Sequence, residues 1–437
     1  MDAGLCVGRR VALLREASGL TRAEVAEAVG RSTEWLRAAE AGRQRLDRYA
    51  MVDALADALG VAPGELLGLP CGREDPVTGP LHRAVPALRR ALLRSGIPAR
   101  AAADLPGADL PSTGSLSAGA RPAGTAATGA RSAGPSPAHV FTAGPDPADR
   151  PSVDALRHRL SAAVRHRQEA RWTNLALALP PLMDDLRART ADAPADTEPS
   201  RLLARALHEA ALLAKRLGAL DLAALAAAEV RHLAEPAADP VLSASALWLQ
   251  AEVGLAAGAV SEAAECLDAG LAAAGAVLGR AAPQAWAVWG TLHLVSAVLE
   301  GQRGRQAESS AHLAEAASAL AHTDASSSGP TGFGEGEWAV HTVHAALELG
   351  EDLGALARIE GMDLRALPAE RRARHGIDRA RAAARAGDAV GAAGELLAAD
   401  RVAAQVVRTH PLAGELLRTA PSSRPVADAA ARLGVRL

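Results

Sequence analysis

Aromatic residues are scarce in this chain: one tyrosine, two phenylalanines and six tryptophans make up 2% of its 437 residues. A core with so few aromatic side chains must be built from alanine, leucine and valine, which favours close helix packing over β-sheet. Lysine occurs once, as Lys215, so arginine supplies almost all of the positive charge. The composition therefore predicts an all-α protein.

Cysteine and long apolar runs are also lacking. Cys6, Cys71 and Cys266 are odd in number and far apart, which excludes a disulfide framework and the spacing of a zinc site. The sequence has no signal-peptide core at its N-terminus and no apolar run long enough to cross a bilayer. These absences indicate a cytoplasmic protein without a membrane partner.

Recognisable catalytic motifs are missing as well. The sequence contains no serine elbow, no glycine-rich phosphate loop and no HExxH pattern, so we expect no enzymatic activity and no cofactor. His341, His344 and Glu348 share a helical face, but such residues are more often packing or surface groups than metal ligands, and we expect no bound metal. A net charge of −3 means that any nucleic-acid surface must be local.

Composition divides the chain into three parts. Residues 1–70 read as a compact helical domain, and residues 151–437 as one helix after another. Between them, residues 71–150 contain one short amphipathic helix at about 81–95, read as a solvated linker helix or as a source of extra phosphate contacts. An Ala/Gly/Pro/Ser-rich tether follows, which buries too little apolar surface to fold. The two ends should be loosely coupled, unless a dimer or direct docking joins them.

The stretch from Gly19 to Gly42 predicts two short helices joined by a tight turn. Thr21 and Glu24 have the spacing of a capping box, which starts a helix near Arg22, and Gly30 is placed for the turn. A second helix, capped by Ser32, should bury Leu36 and Ala39. Four side chains of this second helix should point outward, namely Thr33, Glu34, Arg37 and Ala38.

Three further helices are predicted around this pair. One precedes it at Val7 to Ala17, one runs from Leu46 to Gly60 with Asp47 as its N-cap, and one short turn spans Glu65 to Leu69. Together they make a domain of five helices.

The residues from Arg15 to Leu67 resemble the Xre/Cro type of helix-turn-helix, in which the second helix of the pair lies in the DNA major groove. The resemblance implies an ion pair between Arg15 and Glu40. It also implies that the outward residues Thr33, Glu34, Arg37 and Ala38 read base edges, with Arg37 the best placed for guanine. The phosphate contacts would come from four arginines: Arg22, Arg31, Arg43 and Arg45.

The charge of this domain leaves a second interpretation open. Residues 5–69 hold nine arginines and nine acidic residues, and Glu34 projects toward the expected groove. A glutamate there can accept a hydrogen bond from cytosine, but it also repels phosphate. The domain could therefore serve protein docking or dimerisation instead of reading DNA.

Glycines punctuate the C-terminal part where one amphipathic helix ends and the next begins. These are Gly218, Gly258, Gly304, Gly350 and Gly387. The pattern is typical of stacked helical hairpins and is similar to a degenerate tetratricopeptide array. The end of the chain, from Gly329 through VHTVHAALELG and LPAERRARHGIDRARAAARAGD to VVRTHPLAGELLR, resembles an actinobacterial group of regulators that join such an array to this N-terminal domain.

Tryptophans mark a candidate ligand face of the array. They fall in the first helices of their hairpins, which line the concave side of tetratricopeptide stacks: Trp248, Trp286, Trp289 and Trp338. Bulky aromatics on a concave surface suit a peptide or small ligand. The alternative is that they fill the core of an alanine-rich domain.

Two functional hypotheses follow. In the first, the protein is a sequence-specific, DNA-binding transcriptional regulator, a homodimer bound to a double-stranded operator, whose array senses a peptide, small-molecule or protein effector. In the second, the protein is an interaction scaffold in which the N-terminal domain docks proteins.

Overall fold

The computed structural model describes residues 7–44, 46, 48–61, 66, 76–94, 150–194, 196–234, 239–279, 283–323, 331–351, 354, 357 and 364–437. Within these residues the chain forms eighteen α-helices, one short 3-10 helix at Leu364–Ala366 and no β-strand, which confirms the all-α prediction. The predicted disordered tether lies outside the described residues, as does the predicted fifth helix apart from Leu66. No described helix has both the length and the apolar character that crossing a bilayer requires.

The described part of the N-terminal domain consists of four helices, α1 (Val7–Ala17), α2 (Arg22–Ala28), α3 (Thr33–Glu40) and α4 (Tyr49–Leu59). The predicted start of α4 at Leu46 was wrong. Leu46 is 2% exposed and fills the core before the helix starts, and Arg48 takes the N-cap position without a side-chain hydrogen bond. The predicted cap, Asp47, lies outside the described residues. Gly60, at φ +66°, ends the helix as expected.

Aliphatic side chains from all four helices meet in the core of this domain, where α1 packs on α3 and α4 and α2 packs on the same two helices. The most deeply buried include Val7, Val11, Val25, Leu36, Val52 and Leu55. Burial of side chains of this size contributes about 1.5–3 kcal/mol each. The inner side of α3 is thus packed against the apolar core of the domain, and its outer side faces away from that core.

The C-terminal part is an array of helical hairpins. Its helices are α6 (Val153–Gln168), α7 (Trp172–Asp192), α8 (Thr197–Arg216), α9 (Leu220–Ala234), α10 (Pro240–Ala257), α11 (Val260–Gly275), α12 (Pro283–Gln302), α13 (Gln306–Leu320), α14 (Glu335–Leu349), α15 (Ala369–Arg385), α16 (Ala389–Thr409), α17 (Pro411–Arg418) and α18 (Arg424–Leu433). Helices α8/α9, α10/α11, α12/α13 and α15/α16 pack as hairpins. All five glycines predicted to separate helices have a positive φ.

The first helices of the hairpins also contact one another in order around the array. α6 packs on α8, and the contacts continue through α10, α12 and α14 to α15, which returns to α6. This succession encloses a central region toward which side chains from helices distant in sequence converge. The repeats therefore make nearly one complete turn of a superhelix.

The remaining helix, α5 (Gly79–Leu93), covers the predicted linker helix. It packs on α7 and α9 and buries Leu81, Leu88 and Leu92. Arg94 forms an ion pair with Asp184 at 3.2 Å, and Arg187 donates a hydrogen bond to the carbonyl oxygen of Ala91. The expectation of a solvated linker helix was wrong because the apolar stripe of α5 finds an apolar surface on the array.

The N-terminal domain docks directly on the array. The backbone N–H of Val7 at the start of α1 donates to both carboxylate oxygens of Glu415 on α17, each at 3.1 Å. At another point the side chain of Arg48 lies against Gly350, at the C-terminal end of α14. Of the two ways of coupling that the sequence left open, the structure therefore shows direct docking.

The buried Asp53 of α4 faces this docking surface. Burial, then the nearby Asp57 and then Glu348 of α14, raises the pKa of Asp53 to about 7. Because the folded-state pKa exceeds the unfolded value, ionisation of Asp53 opposes folding as the pH rises from about 4 through 7. We expect Asp53→Asn to raise the free energy of unfolding by roughly 1–3 kcal/mol at pH 8 and by much less near pH 4.

Urea titrations of the full chain at the two pH values measure this gain. Asp268→Asn, the same substitution at an exposed position of α11 that does not act on Asp53, is the control and should change stability little at either pH. A gain for Asp53→Asn that does not depend on pH would contradict the charge-based explanation.

Candidate nucleic-acid interface

The turn between α2 and α3 is set by local hydrogen bonds. The Thr21 hydroxyl accepts from the backbone N–H of Glu24, and the Glu24 carboxylate accepts from the backbone N–H of Thr21 at 2.7 Å, which completes the capping box. Gly30, at φ +63°, supplies the left-handed conformation with which the turn begins. α3 then starts where Ser32 accepts from the N–H of Trp35 at 3.1 Å. The relative direction of α2 and α3 thus follows from the local sequence.

α3 presents the outward face that the sequence predicts. Leu36 and Ala39 are fully buried, whereas Thr33, Glu34 and Arg37 are exposed. The fourth predicted base-reading residue, Ala38, and the neighbouring Trp35 are half-buried at the edge. The described part of the array does not cover this face, which is therefore exposed to solvent.

A buried carboxylate holds the C-terminal end of α3. The Glu40 carboxylate accepts from Arg15 Nε at 2.5 Å and from Arg22 Nε at 2.6 Å, so one acidic residue joins α1, α2 and α3. Arg15 also donates to the carbonyl oxygen of Leu20 at 3.1 Å. Burial raises the pKa of Glu40, but hydrogen bonds from Arg15 and Arg22 outweigh burial and the net pKa is lowered. The structure therefore brings Arg15 and Glu40 together and adds Arg22 to the pair.

Arg37 is not free on the surface of α3. Its guanidinium forms an ion pair with Glu34, one turn earlier on the same helix, and both side chains are more than half exposed. Exposed pairs of this kind contribute only about 0.2–1 kcal/mol. A guanine or a cytosine edge could therefore separate the pair at low cost, since each side chain would gain a base partner.

The four predicted phosphate-contacting arginines have different surroundings. Arg22 is 42% exposed and is held by Glu40, and the guanidinium of Arg31 lies 5.7 Å from the centre of the Trp35 ring. Arg43 is exposed, and its backbone N–H donates to the carbonyl oxygen of Ala38 at 2.8 Å in the turn after α3. Arg45 lies outside the described residues. Of the described three, Arg31 and Arg43 have no ion pair among the described residues, whereas Arg22 is paired with Glu40.

Residues 7–68 match a family model described as a helix-turn-helix domain. A comparison of the chain with curated proteins found no match. The N-terminal domain is a helix-turn-helix domain. The family match ends before the array, so the helix-turn-helix model says nothing about the array or its partners.

One residue that supports the helix-turn-helix domain was not singled out from the sequence. An ideal Cβ on Gly8 of α1 would lie 1.8 Å from the carbonyl oxygen of Ala39 on α3. Only glycine allows the two helix backbones to approach so closely. In the sequence Gly8 is simply a glycine near the start of a helix, and only the contact with α3 reveals its role.

The four tryptophans proposed as a ligand face are packed against the array itself. Trp248 is 5% exposed and stacks on His208, with 5.3 Å between the ring centres. Trp286 and Trp289 form an edge-to-face pair at 5.6 Å, and Trp338 donates from Nε1 to the carbonyl oxygen of Leu313 at 3.0 Å. These contacts agree with the core-filling alternative, and the ligand-face assignment stays a prediction.

Of the three residues of α14 considered as metal ligands, His344 and Glu348 are close, with 3.8 Å between Nε2 and a carboxylate oxygen, whereas His341 has other partners. His341 hydrogen-bonds the carbonyl oxygen of Glu337 at 2.8 Å, and His344 lies 3.3 Å from a carboxylate oxygen of Asp378. Across the described residues, no three histidine, cysteine, aspartate or glutamate side chains are grouped as metal ligands.

Proposed function

We propose that this protein is a sequence-specific transcriptional regulator of the Xre type, which binds a double-stranded DNA operator through α3 and acts as a homodimer. We also propose that its array is tetratricopeptide-like and senses an effector. We propose no catalytic activity for the chain. The single observation that carries the proposed function is the exposed outward face of α3, braced from behind by Glu40 with its two arginine partners.

The bracing matters because groove recognition depends on the position of the whole helix. Base-reading side chains must be held close to productive geometry by the elements beneath them. Leu36 and Ala39 fix the inner face of α3, Ser32 fixes its start and Glu40 fixes its end. Thr33 and Arg37 then project from a helix that has little freedom to move. This arrangement suits a helix placed N-terminus first into the major groove.

Direct docking supports a controlling role for the array. The array holds the N-terminal domain at Val7 and at Arg48, away from the outward face of α3. A change in the array near Glu415 or Gly350 would therefore reorient the reading helix without covering it. In a homodimer, the two α3 helices must be separated by the distance between the two half-sites of the operator, about 34 Å. A reorientation of α3 would change this separation and therefore the affinity for the operator.

The scaffold hypothesis remains the second candidate, and the Glu34–Arg37 ion pair favours it. This pair neutralises the most prominent charges of the outward face, whereas phosphate contacts dominate most DNA affinities. A neutral, braced helix face would also suit a protein partner. Substitutions at Arg37 and Arg43 distinguish the two hypotheses.

Arg37→Ala is expected to cost about 1–3 kcal/mol of binding free energy on a duplex selected by the wild-type protein and to relax the preference for one base pair. Arg43→Ala should weaken selected and random duplexes by the same factor, because a phosphate contact carries no sequence information. Fluorescence anisotropy at one fixed salt concentration measures the Kd of each variant, relative to wild type, on the selected duplex and on the random duplex. Equal losses on both duplexes for Arg37→Ala would remove Arg37 from the base-reading set.

A further inference from the structure

Ion pairs between distant helices converge at the centre of the array. Arg167 of α6 contacts Glu209 of α8 at 2.6 Å and Glu370 of α15 at 3.2 Å. Arg216 of α8 reaches the same Glu370 at 3.3 Å. Because the three helices belong to different hairpins, these contacts can form only where the inner helices face a common space.

Two further pairs complete what we name the central charge cluster. Lys215 of α8 pairs with Glu252 of α10, and Arg371 of α15 pairs with Glu337 of α14 at 2.7 Å. The cluster thus contains four carboxylates, each already bound to a cation, and five cations. Its members are Glu209, Glu252, Glu337, Glu370, Arg167, Lys215, Arg216, Arg371 and Arg374.

Arg374 is the cluster's cation without an ion pair among the described residues, although its charge helps to lower the pKa of Glu370. It lies one turn after Glu370 on α15, is half-buried, and has no hydrogen-bonded or ion-paired partner among the described residues. Its positive charge nevertheless changes the pKa of neighbouring groups. Burial, and then Arg374, lowers the pKa of Arg216 to about 10. Like charges held together in this way favour the entry of an anion.

The carboxylates offset this positive charge only in part. Burial raises the pKa of Glu209 and of Glu337, whereas the pKa of Glu252 and of Glu370 is lowered because nearby cations outweigh the effect of burial. The adjoining acid, Asp378, is occupied by His344 at 3.3 Å and by Arg381 at 3.6 Å. Within the central charge cluster itself, five cations therefore face four carboxylates.

The cluster is deep in the array and yet still accessible. Burial lowers the pKa of His410 beside Arg374 to about 3, and its Nδ1 has no hydrogen-bond partner among the described residues. The side chains of Arg216, Arg371 and Glu252 are 16%, 23% and 21% exposed. These cluster side chains are therefore largely buried but keep some surface that solvent can reach.

We propose that the central charge cluster is a binding site for a small organic anion that carries a carboxylate or a phosphate group, with Arg374, Arg216 and Lys215 as the cations that hold it. Guanidinium groups bind both kinds of anion through paired N–H donors, and an ammonium adds a point charge. His410 would supply a neutral hydrogen-bonding group at the edge of the site. As an effector site, it deepens the proposed function and depends on it for its biological role.

Packed side chains connect the site to the surface on which the helix-turn-helix domain docks. Glu348 of α14 accepts from Arg381 of α15 at 2.8 Å, deep between the two helices that carry Glu337 and Arg374. The same Glu348 raises the pKa of Asp53 in the docked domain. An anion bound to Arg374 would therefore act on α15, which packs on α14, and the C-terminal end of α14 contacts Arg48 of the N-terminal domain.

Thermal unfolding of the full chain without DNA tests the proposal, with inorganic phosphate and citrate as probes and chloride at matched ionic strength as the reference. For wild type we expect a concentration-dependent rise in Tm of about 2–3 °C at ten times Kd in at least one of the two probes. A rise with phosphate alone assigns a phosphate ligand, and a rise with citrate alone assigns a carboxylate ligand. No rise above chloride with either probe would overturn the proposal.

Three variants separate specific binding from the general stabilisation that such salts give. Arg374→Gln should lose the extra rise, whereas Arg374→Lys, which keeps the charge, should retain most of it. Arg379→Gln, the same change at an exposed position of α15 paired with Glu395, should behave as wild type. In chloride, Arg374→Gln should unfold at the same or a higher temperature than wild type, because it removes an uncompensated charge.

Two results would contradict this assignment. An equal rise in wild type and Arg374→Gln would show that the salts act on the whole protein. A lower Tm for Arg374→Gln in chloride would show that Arg374 belongs to the structural network. Because no DNA is present, a failure of the anion site is distinguishable from a failure of operator binding, which the anisotropy assay measures separately.

Discussion

Replacing Glu40 by alanine is expected to reduce the free energy of unfolding of the helix-turn-helix domain by about 3–5 kcal/mol, the usual effect of removing one partner from a buried ion pair. Glu40 is 6% exposed and binds Arg15 and Arg22 at 2.5 and 2.6 Å. Without the carboxylate, the buried Arg15 keeps only its contacts with Glu16 and with the carbonyl oxygen of Leu20. Losses of this size exceed those expected from any exposed substitution in the domain.

Urea unfolding, monitored by hydrogen exchange of the backbone amides of α1 to α3, measures the loss of stability in this domain alone. Glu34→Ala, the same substitution on the exposed face of the same helix, should cost less than about 1 kcal/mol. Adding Arg15→Ala to Glu40→Ala should recover part of the loss, because the double variant no longer leaves a buried charge unpaired. Strict additivity of the two single effects would show that Arg15 and Glu40 do not interact.

The same ion pair predicts a direction for the pH dependence. The folded-state pKa of Glu40 is lowered, so its contribution is present above the unfolded value of about 4.3 and is lost as the pH falls through the folded-state value. The wild-type domain should therefore lose stability below about pH 4 more steeply than Glu40→Gln does.

Substituting alanine for Gly8 is the second change with a large expected effect. The new Cβ would lie 1.8 Å from the carbonyl oxygen of Ala39, and real Cβ contacts below 3.0 Å essentially do not occur. The obstacle is backbone and cannot rotate away, so α1 and α3 must separate by more than about 1 Å. Overpacking of this kind typically costs about 1–3 kcal/mol and occasionally more, and we expect Gly8→Ala at the upper end.

Gly8→Ala should weaken operator binding even in molecules that remain folded, because α3 carries the base-reading side chains and would be displaced from α1. Arg9→Ala changes the neighbouring exposed position of α1 and serves as the control. The unfolding midpoint and the operator affinity are measured on both variants. Wild-type stability in Gly8→Ala would mean that α1 and α3 are not in backbone contact.

The parts of the structure that followed from the sequence are those set by neighbouring residues. The capping box of Thr21 and Glu24, the cap at Ser32 and the turn at Gly30 act over three or four positions, so their spacing alone predicts α2 and α3. The helix-ending glycines of the array are local signals in the same sense. The outward and inward faces of α3 follow from helical periodicity.

Contacts between residues far apart in the chain could not be predicted from such local signals. Arg167 and Glu370 are 203 positions apart, and nothing local distinguishes them from the other charged residues that cover helix surfaces. Their meeting depends on the superhelical turn that returns α15 to α6. The burial of α5, likewise, depends on an apolar surface formed by α7 and α9, and the docking of Val7 on Glu415 depends on the position of α17.

Selection of bound duplexes from a random-sequence library by the full chain tests the central claim most directly, because it requires neither a known operator nor a known effector. We expect the wild-type protein to enrich one sequence motif, Arg43→Ala to enrich the same motif more weakly, and Arg37→Ala to lose the preference at one position of that motif. If the folded wild-type protein enriches no motif, α3 does not read DNA.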